Sequence, residues 1–490
     1  MTLDSLIEKY RGANTGVTHC VVADRDDILT EWYLGDRSRD IPHMLHSATK
    51  SFVSSAAGFA VSEGLLDLDA PMLDYLPSSA SRPADPRAGA IRVRDLLTMR
   101  TGHGSGSSGL LWRTLESSWI AEYLGEEMVS EPGVDFIYSS GTSHMLSVCV
   151  QQAVGERLDQ YLRPRLFEPL GFRGHVWATD PEGYNSGGNG LSVRAVDLLK
   201  WGVLYLRGGE WNNRQLLPAS WVEESTSWHV GASHSTWNGS GYSVASRDES
   251  SAAAGRSEEG YGYQIWLQGG AYYASGMFGQ ACVVVPDADR VIAVNAALER
   301  PQARELVSDL IDWARADAQQ DGRVSHSFRG VPIATEPSEL CTRFAGEYIT
   351  PDGASALTVR HVDGDTGSEL SLSGDDQAGR LALIAGVGGN RRCSGPMSGP
   401  HLHHSYVEHD VPIVARVDQT GQSELTLTID YLSAPFIDTV TLVQEPEGDL
   451  TLTRSSNVNS TDALDSRTVF VRQRRRGGRR AVSTLTPGGC

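Results

Sequence analysis

The chain has 490 residues, of which 40% are hydrophobic, and this is enough to bury a large core and excludes a disordered chain. At about 150 residues per domain, the length predicts two or three domains. The 61 acidic residues outnumber the 42 basic ones and leave a net charge of −19, which argues against a nucleic-acid partner or a membrane-binding surface. Residues 474–490 are the exception to this acidic balance, because they are rich in arginine and contain no acidic residue. We expect a flexible basic tail there.

The six cysteines lie far apart and form no C-x-x-C pair. This spacing argues against a disulfide framework or a structural zinc site and fits a reducing compartment. The first residues show no cationic segment followed by an apolar run, and the chain has no stretch of about 18 uninterrupted apolar residues. We therefore expect a soluble, cytoplasmic protein.

The predicted elements of residues 1–320 follow the order strands, helices, strands, helix. Two short strands flank an Asp-rich turn within residues 17–35, because β-branched and aromatic residues lie on both sides of it. Apolar periodicity predicts helices at 47–63, 92–100, 141–154, 157–168, 194–207 and 302–317. Between the last two helices, strands are predicted at 261–267, 271–275, 279–286 and 289–296. This order predicts an α+β domain, with helices packed on one antiparallel sheet built from both ends of the segment.

The pattern changes after residue 320. Residues 321–340 are polar and irregular, and we predict a linker there. Residues 341–473 contain short segments of alternating polarity that are separated by Gly, Asp and Pro. This pattern predicts a second, all-β domain, either a lipocalin-like barrel or a sandwich.

The first candidate for chemistry is the sequence Ser47-Ala48-Thr49-Lys50, at the start of the predicted 47–63 helix. A spacing of three residues places the hydroxyl and the ammonium on one helix face, within reach of each other. The helix N-terminus adds free N–H groups and a positive dipole end, which stabilise an oxyanion. Lysine positions are informative here because the chain has three lysines against 39 arginines. Taken alone, the pattern is weak evidence, and the alternative is a capping serine followed by a solvated lysine.

Two later motifs change this interpretation. Tyr138-Ser139-Ser140 precedes an apolar helix, and residues 274–277 run along a predicted strand edge. In this order, on helix start, turn and strand, the three motifs resemble those of the penicillin-recognising serine hydrolases, the superfamily of class C β-lactamases, DD-peptidases and related esterases. The resemblance covers about residues 15–315 and implies a β-lactamase/transpeptidase-like fold. Segments 93–103 and 190–199 resemble two further segments of that superfamily.

Departures from the class C pattern indicate which branch of the superfamily this chain resembles most. Class C β-lactamases have Tyr-x-Asn where this chain has Tyr138 and Ser140, and Lys-Thr-Gly where it has Ala274, Ser275 and Gly276. That lysine helps to hold the carboxylate of penicillins and cephalosporins, so its replacement argues against β-lactamase activity. The motifs look closest to those of 6-aminohexanoate-dimer hydrolases, whose substrates are small linear amides and esters.

Transferred position by position, the resemblance implies that Ser47 is the nucleophile and Lys50 the proton acceptor. Tyr138 would pass a proton to the leaving group, and Ser140 would be an orienting hydroxyl. The N–H groups of Ser47 and Met277 would form the oxyanion hole. Independently of the resemblance, a lysine buried beside a tyrosine can be neutral near pH 7, because desolvation lowers its pKa.

Further substrate contacts are predicted around these residues. Ala274, Ser275 and Gly276 would line the strand edge, where an extended acyl chain could lie by strand addition. The Gly- and Ser-rich loop that follows the 92–100 helix suggests a lid, with His103 or Trp112 as substrate contacts, and a plain solvent loop is an equal alternative.

A histidine cluster in the second domain superficially resembles the metal motif of metallo-β-lactamases. It comprises His401, His403, His404 and His409. Serine and tyrosine occupy the positions that would have to be aspartate and histidine, so we interpret the cluster as a surface loop. We expect no metal and no cofactor.

These observations predict a serine hydrolase that cleaves a small ester or amide through a Ser47 acyl-enzyme. One alternative keeps the acyl-enzyme but passes the acyl group to an amine or alcohol, as an ATP-independent transacylase or peptide cyclase of secondary metabolism would. The other alternative is a catalytically inactive binding module, against which the intact Ser47, Lys50 and Tyr138 argue. The expected partner is a small molecule, and the sequence does not indicate an oligomeric state.

Overall fold

The computed structural model divides the chain into two compact units, Met1–Arg329 and Gly330–Cys490. The described residues are 2–104, 117–232, 235–237, 242–244, 259–318, 327–329, 344–364, 367–376, 379–387, 389–398, 407–458 and 466–473. Trp112, three of the four clustered histidines (401, 403 and 404), the tail 474–490 and most of the predicted linker lie outside them.

A nine-stranded sheet forms the centre of the first unit. Its strands are, in spatial order, Ser327–Arg329, Ile28–Tyr33, Gly16–Ala23, Arg290–Ala297, Gln280–Val285, Ala271–Gly276, Trp266–Gln268, Glu259–Tyr261 and Val230–Gly231. Neighbouring strands pair antiparallel, except that the first strand, which falls within the predicted linker, runs parallel to the second. The sheet is thus assembled from both ends of the unit.

Helices pack on both faces of this sheet, directly or through other helices. They are Leu3–Lys9, Thr49–Ser62, Val93–Leu97, Trp119–Leu124, Ser140–Val154, Leu158–Leu162, Glu168–Leu170, Ala195–Leu206, Ala219–Ser225 and Arg300–Asp317. The central strands are buried on both sides, because successive side chains alternate between two cores. In Gln280–Val285, Cys282 and Val284 face the core that contains the Thr49–Ser62 helix, while Val283 and Val285 face the Arg300–Asp317 helix. The predicted α+β arrangement is confirmed.

One predicted helix is broken. The apolar period predicts a continuous helix at 157–168, whereas the structure has Leu158–Leu162, a π-helical turn at Arg163–Phe167 and a short helix at Glu168–Leu170. Pro164 lies inside the π-helical turn. Because proline lacks the amide hydrogen that an α-helix needs, the regular hydrogen bonding is interrupted there.

The second unit contains a closed β-barrel. Its strands are Gly346–Ile349, Ala356–Gly364, Gly367–Asp376, Gly379–Val387, Arg391–Ser398, Val407–Gly421, Glu424–Tyr431, Ile437–Gln444, Leu450–Ser456 and Ser466–Arg472. Pairing of Gly379–Val387 with Val407–Gly421 closes a ring of nine strands, and Arg391–Ser398 adds to it outside the ring. The alternative of an open sandwich is therefore wrong for this unit.

None of the described helices has the length and apolar run that crossing a membrane requires. The four described cysteines, Cys20, Cys149, Cys282 and Cys393, are free thiols.

Candidate active site

Ser47 lies in a short 3-10 turn, His46–Ala48, that leads directly into the Thr49–Ser62 helix. The preceding residue, His46, has a φ of 49°, which is uncommon for a residue other than glycine. The turn is otherwise buried, but Ser47 is partly exposed. The backbone therefore presents one hydroxyl to solvent at the start of a 14-residue helix.

Lys50 lies one helical turn after Ser47 and is 2% exposed. Its Nζ is 3.0 Å from Ser47 Oγ, 3.1 Å from Ser140 Oγ and 2.6 Å from the carbonyl oxygen of Gly188. Burial lowers the pKa of Lys50 to about 7, because the charged ammonium loses its hydration. Near neutral pH, a large fraction of the molecules thus carries an uncharged amine beside the Ser47 hydroxyl.

Tyr138 and Ser140 reach this amine from the start of the Ser140–Val154 helix. Ser139 caps that helix, since its Oγ accepts a hydrogen bond from the Thr142 N–H at 3.1 Å. The Tyr138 ring is buried, with its centroid 4.9 Å from Lys50 Nζ. The ring of Trp266 lies 5.4 Å away from it and helps to hold it in place.

The Ala271–Gly276 strand supplies an open backbone edge. On one side it pairs with Gln280–Val285 as far as Gly276, but on the other its pairing with Trp266–Gln268 covers only residues 271–273. Residues 274–276 therefore have no strand beside them on that edge among the described residues. Ser275, Gly276 and Met277 are partly exposed there.

Gly276 brings this strand against the Ser47 turn. A Cβ atom at Gly276 would lie 2.1 Å from the carbonyl oxygen of Leu45 and 3.2 Å from the backbone nitrogen of Ala48. Just beyond, Phe278 has a left-handed φ of 63°, and its ring meets that of His46 edge-on at 5.4 Å. The end of the strand, directly before Met277, therefore packs on the turn that contains Ser47.

We expect Gly276→Ala to lower kcat by about 10²-fold, because the added methyl group overlaps backbone and must displace the Ser47 turn by an ångström or more. Gly89→Ala is a matched control, since a Cβ there would meet nothing within 4 Å. Steady-state kinetics on an activated ester measures both. A wild-type kcat in Gly276→Ala would show that the close approach is not needed.

Two predicted substrate contacts are buried, and the predictions for them are corrected. Ala274 is 0% exposed and packs in the core on the side of the Thr49–Ser62 helix. His103 is 1% exposed; its ring centroid lies 4.2 Å from that of Tyr123, and its Nδ1 is 3.3 Å from Thr101 Oγ1. Neither side chain has surface for a small molecule to touch, so we do not retain them as contacts. The third, Trp112, lies outside the described residues.

The Gly188 carbonyl is a site group that the motifs did not indicate. A Cβ at Gly188 would lie 2.7 Å from the Ser140 Cβ, and one at Gly187 would lie 2.1 Å from the Ser143 carbonyl oxygen. This backbone therefore presses against the helix that begins at Ser140 and reaches Lys50. The signal in the sequence is the pair of adjacent glycines just before the 190–199 segment.

Within the described residues, no group of three or more His, Cys, Asp or Glu side chains is placed to hold a metal ion. His409, the member of the histidine cluster that is described, is exposed.

A family model described as Beta-lactamase matches residues 3–314. The chain belongs to the beta-lactamase family. This confirms the resemblance to the penicillin-recognising serine hydrolases, and with it the fold predicted for the first domain.

Three similar proteins show the range of named activities among the relatives. The 6-aminohexanoate-dimer hydrolase of Paenarthrobacter ureafaciens is 23% identical over 295 residues, which are 57% of this chain and 72% of that protein. Lovastatin esterase of Penicillium rubens is 30% identical over 180 residues, 31% of this chain and 42% of that protein. Monacolin J acid methylbutanoyltransferase of Aspergillus terreus is 29% identical over 157 residues, 27% and 37% of the two chains. A hydrolase, an esterase and an acyltransferase are thus among its relatives.

Proposed function

We propose that this chain is a serine hydrolase that cleaves a small ester or amide through an acyl-enzyme on Ser47. The observation that carries the proposal is the 3.0 Å contact between Ser47 Oγ and the Nζ of a lysine that is buried and whose pKa lies at about 7. A serine hydroxyl attacks a carbonyl efficiently only when a nearby base takes its proton. A catalytically inactive module would have no need to keep a desolvated lysine in this position.

The three contacts of Lys50 explain how it acts as a base. A neutral amine has two N–H donors and one lone pair. The Gly188 carbonyl at 2.6 Å can only accept, so it takes one N–H, and Ser140 Oγ at 3.1 Å takes the other. The lone pair is then left for the proton of Ser47. In this arrangement Ser140 orients the base.

Bond formation between Ser47 Oγ and the substrate carbonyl carbon places negative charge on the carbonyl oxygen. The N–H groups of Ser47 and Met277 stabilise that oxyanion. Tyr138 passes the proton from Lys50 to the leaving alcohol or amine, which departs and leaves the acyl group on Ser47. Water then attacks the ester on Ser47 while Lys50 accepts its proton, and Lys50 returns that proton to Ser47 Oγ as the bond to the acyl carbon breaks and the acid leaves.

At the open edge, Ser275 and Gly276 are partly exposed and can accommodate a small, extended acyl group. The backbone groups of these two residues can pair with an amide or ester chain in the manner of an added strand. The side chain at the position of the class C lysine is a buried alanine, Ala274, which offers no cation to the carboxylate of a β-lactam.

A substrate panel tests the substrate class. We expect kcat/KM for short p-nitrophenyl esters to exceed that for benzylpenicillin by at least about 10²-fold, because charge pairing with the β-lactam carboxylate is missing. Activity should be unchanged by EDTA. Turnover of benzylpenicillin at the rate of the ester would contradict the proposed class.

Transfer of the acyl group to an acceptor other than water is a second candidate, favoured by the acyltransferase among the relatives. Hydrolysis and transfer can be distinguished by measuring how the acyl-enzyme partitions between water and an added acceptor. The acyl-enzyme is formed with an activated ester, amines and alcohols are titrated, and products are measured by mass spectrometry. We expect the free acid to dominate. If one acceptor at micromolar concentration diverts most of the acyl group, transfer is the native reaction.

A further inference from the structure

Gln264 lies in the turn that precedes the Trp266–Gln268 strand and belongs to none of the three motifs. It is 1% exposed, and its φ is 59°, in the left-handed region that glutamine rarely adopts. Glycine or asparagine would fit this backbone with less strain. A long amide side chain at such a position indicates that the amide itself is used.

Every polar group of Gln264 is hydrogen-bonded within the fold. Its Nε2 donates to the carbonyl oxygens of Leu96 and Leu97 at 2.7 and 3.2 Å, and its Oε1 accepts from Ser143 Oγ at 2.7 Å. Its backbone N–H donates to Leu97 O at 3.0 Å, and its carbonyl accepts from Ser51 Oγ at 2.8 Å. One residue thus joins three helices.

Two of these helices contain residues of the candidate site, Lys50 in one and Ser140 in the other. Ser51 directly follows Lys50 in the Thr49–Ser62 helix, and Ser143 lies one turn after Ser140 in the next helix of the site. The contact between Lys50 Nζ and Ser140 Oγ, 3.1 Å long, spans the same pair of helices. Ser51 and Ser143 are both buried, so water does not compete for their hydrogen bonds with Gln264.

We infer that Gln264 is a positioning residue that holds the helix of Lys50 and the helix of Ser140 at the separation their contact requires. The inference rests on the proposed function, because it assigns Gln264 to the same reaction. Gln264 also donates hydrogen bonds to the carbonyls of Leu96 and Leu97, at the end of the Val93–Leu97 helix. These bonds fix the position of the amide, and with it the hydrogen bonds to the other two helices.

The test compares Gln264→Met, which keeps the approximate volume but removes the amide, with Ser143→Ala, which removes only the link to the Ser140 helix. We expect each to lower kcat for a p-nitrophenyl ester about 10-fold with KM changed less than about twofold. The double variant should be no slower than Gln264→Met alone, because both substitutions remove the same link.

The pH dependence of kcat/KM distinguishes a positioning role of Gln264 from a role in overall stability alone. The groups that contact Lys50 Nζ among the described residues are the Ser47 and Ser140 hydroxyls, the Gly188 carbonyl and the Tyr138 ring. If the two helices separate, water reaches Lys50 and its pKa rises toward the ordinary value of lysine. The acid limb of kcat/KM should therefore move to higher pH in both variants.

Tyr205→Phe is the matched control. Tyr205 is buried, and its hydroxyl lies 3.0 Å from the Oγ of Ser55, which is five residues after Lys50 in the same helix. We expect it to lower the melting temperature without changing kcat or the acid limb.

A lowered melting temperature with normal kcat and an unmoved acid limb in Gln264→Met would overturn the inference. If Gln264→Met does not fold, Ser143→Ala decides alone, and a wild-type kcat and pH profile there would overturn it. Failure of the proposed function is a separate result, since it would appear as full activity in Ser47→Ala.

Discussion

Replacing Ser47 by alanine is expected to lower kcat for an activated ester by at least about 10³-fold while the fold stays intact. In the proposed mechanism the hydroxyl forms the acyl bond, and Ser47 is partly exposed, so loss of its hydroxyl creates no cavity in the core. Circular dichroism and steady-state kinetics measure the two effects. Ser62→Ala, an exposed position at the far end of the same helix, is expected to retain wild-type activity.

Covalent labelling checks the same assignment without a substrate. A fluorophosphonate should add one equivalent to the wild type, and peptide mapping should place it on Ser47, because Lys50 Nζ lies 3.0 Å from its hydroxyl. Label on another serine, or undiminished labelling of Ser47→Ala, would remove Ser47 from the reaction.

Lys50→Met is expected to lower kcat by at least about 10²-fold and to change how stability depends on pH. Lys50→Arg should be equally inactive, because a guanidinium does not give up its proton near neutral pH. The stability effect follows from the pKa, which is about 7 in the fold against an ordinary value of 10.5. Between these values the unfolded chain binds a proton that the folded chain does not.

The free energy of unfolding of the wild type should therefore rise with pH across this window, by up to about 1.4 kcal/mol per pH unit from this group. Below pH 7 both states are protonated and the folded state bears the full cost of the buried charge. Lys50→Met removes the group, so its melting temperature relative to wild type should be higher at pH 6 than at pH 9. A difference that does not vary with pH would show that Lys50 is charged in the fold.

Local sequence signals explain why much of the first unit could be predicted. The strands predicted at 279–286 and 289–296 each contain a run of β-branched and small apolar residues, ACVVV and VIAV, and the structure buries both strands on two faces. The Ser47 to Lys50 spacing is likewise local, because one helical turn sets it. The break at Pro164 follows from the missing amide hydrogen, which apolar periodicity does not report. Barrel closure depends on pairing between distant strands and leaves no local signal.

The parts of the site that sequence reasoning missed are formed by backbone and by long-range packing. Gly188 contacts Lys50 through a carbonyl, which every residue possesses, so the adjacent glycines mark a close approach of backbone but do not indicate a site group. Gln264 lies 213 residues from Ser51 in sequence, and the hydrogen bond between them exists only in the folded chain. The burial of Ala274 and His103 depends on which face of an element meets the core, and that is decided by tertiary packing.

The open edge of the Ala271–Gly276 strand also bears on how the protein avoids aggregation. A sheet edge that can bind a ligand by backbone hydrogen bonds is also a template for strands of other chains. Here the neighbouring strand pairs with this strand up to Tyr273, which lies opposite Trp266, so the unpaired gap covers only residues 274–276. Strands are usually about three to ten residues long, and about five or six residues is the most common length. A gap of three residues lies at the short end of this range, so it offers a foreign strand few backbone hydrogen bonds, while the small acyl group that we propose would need no more.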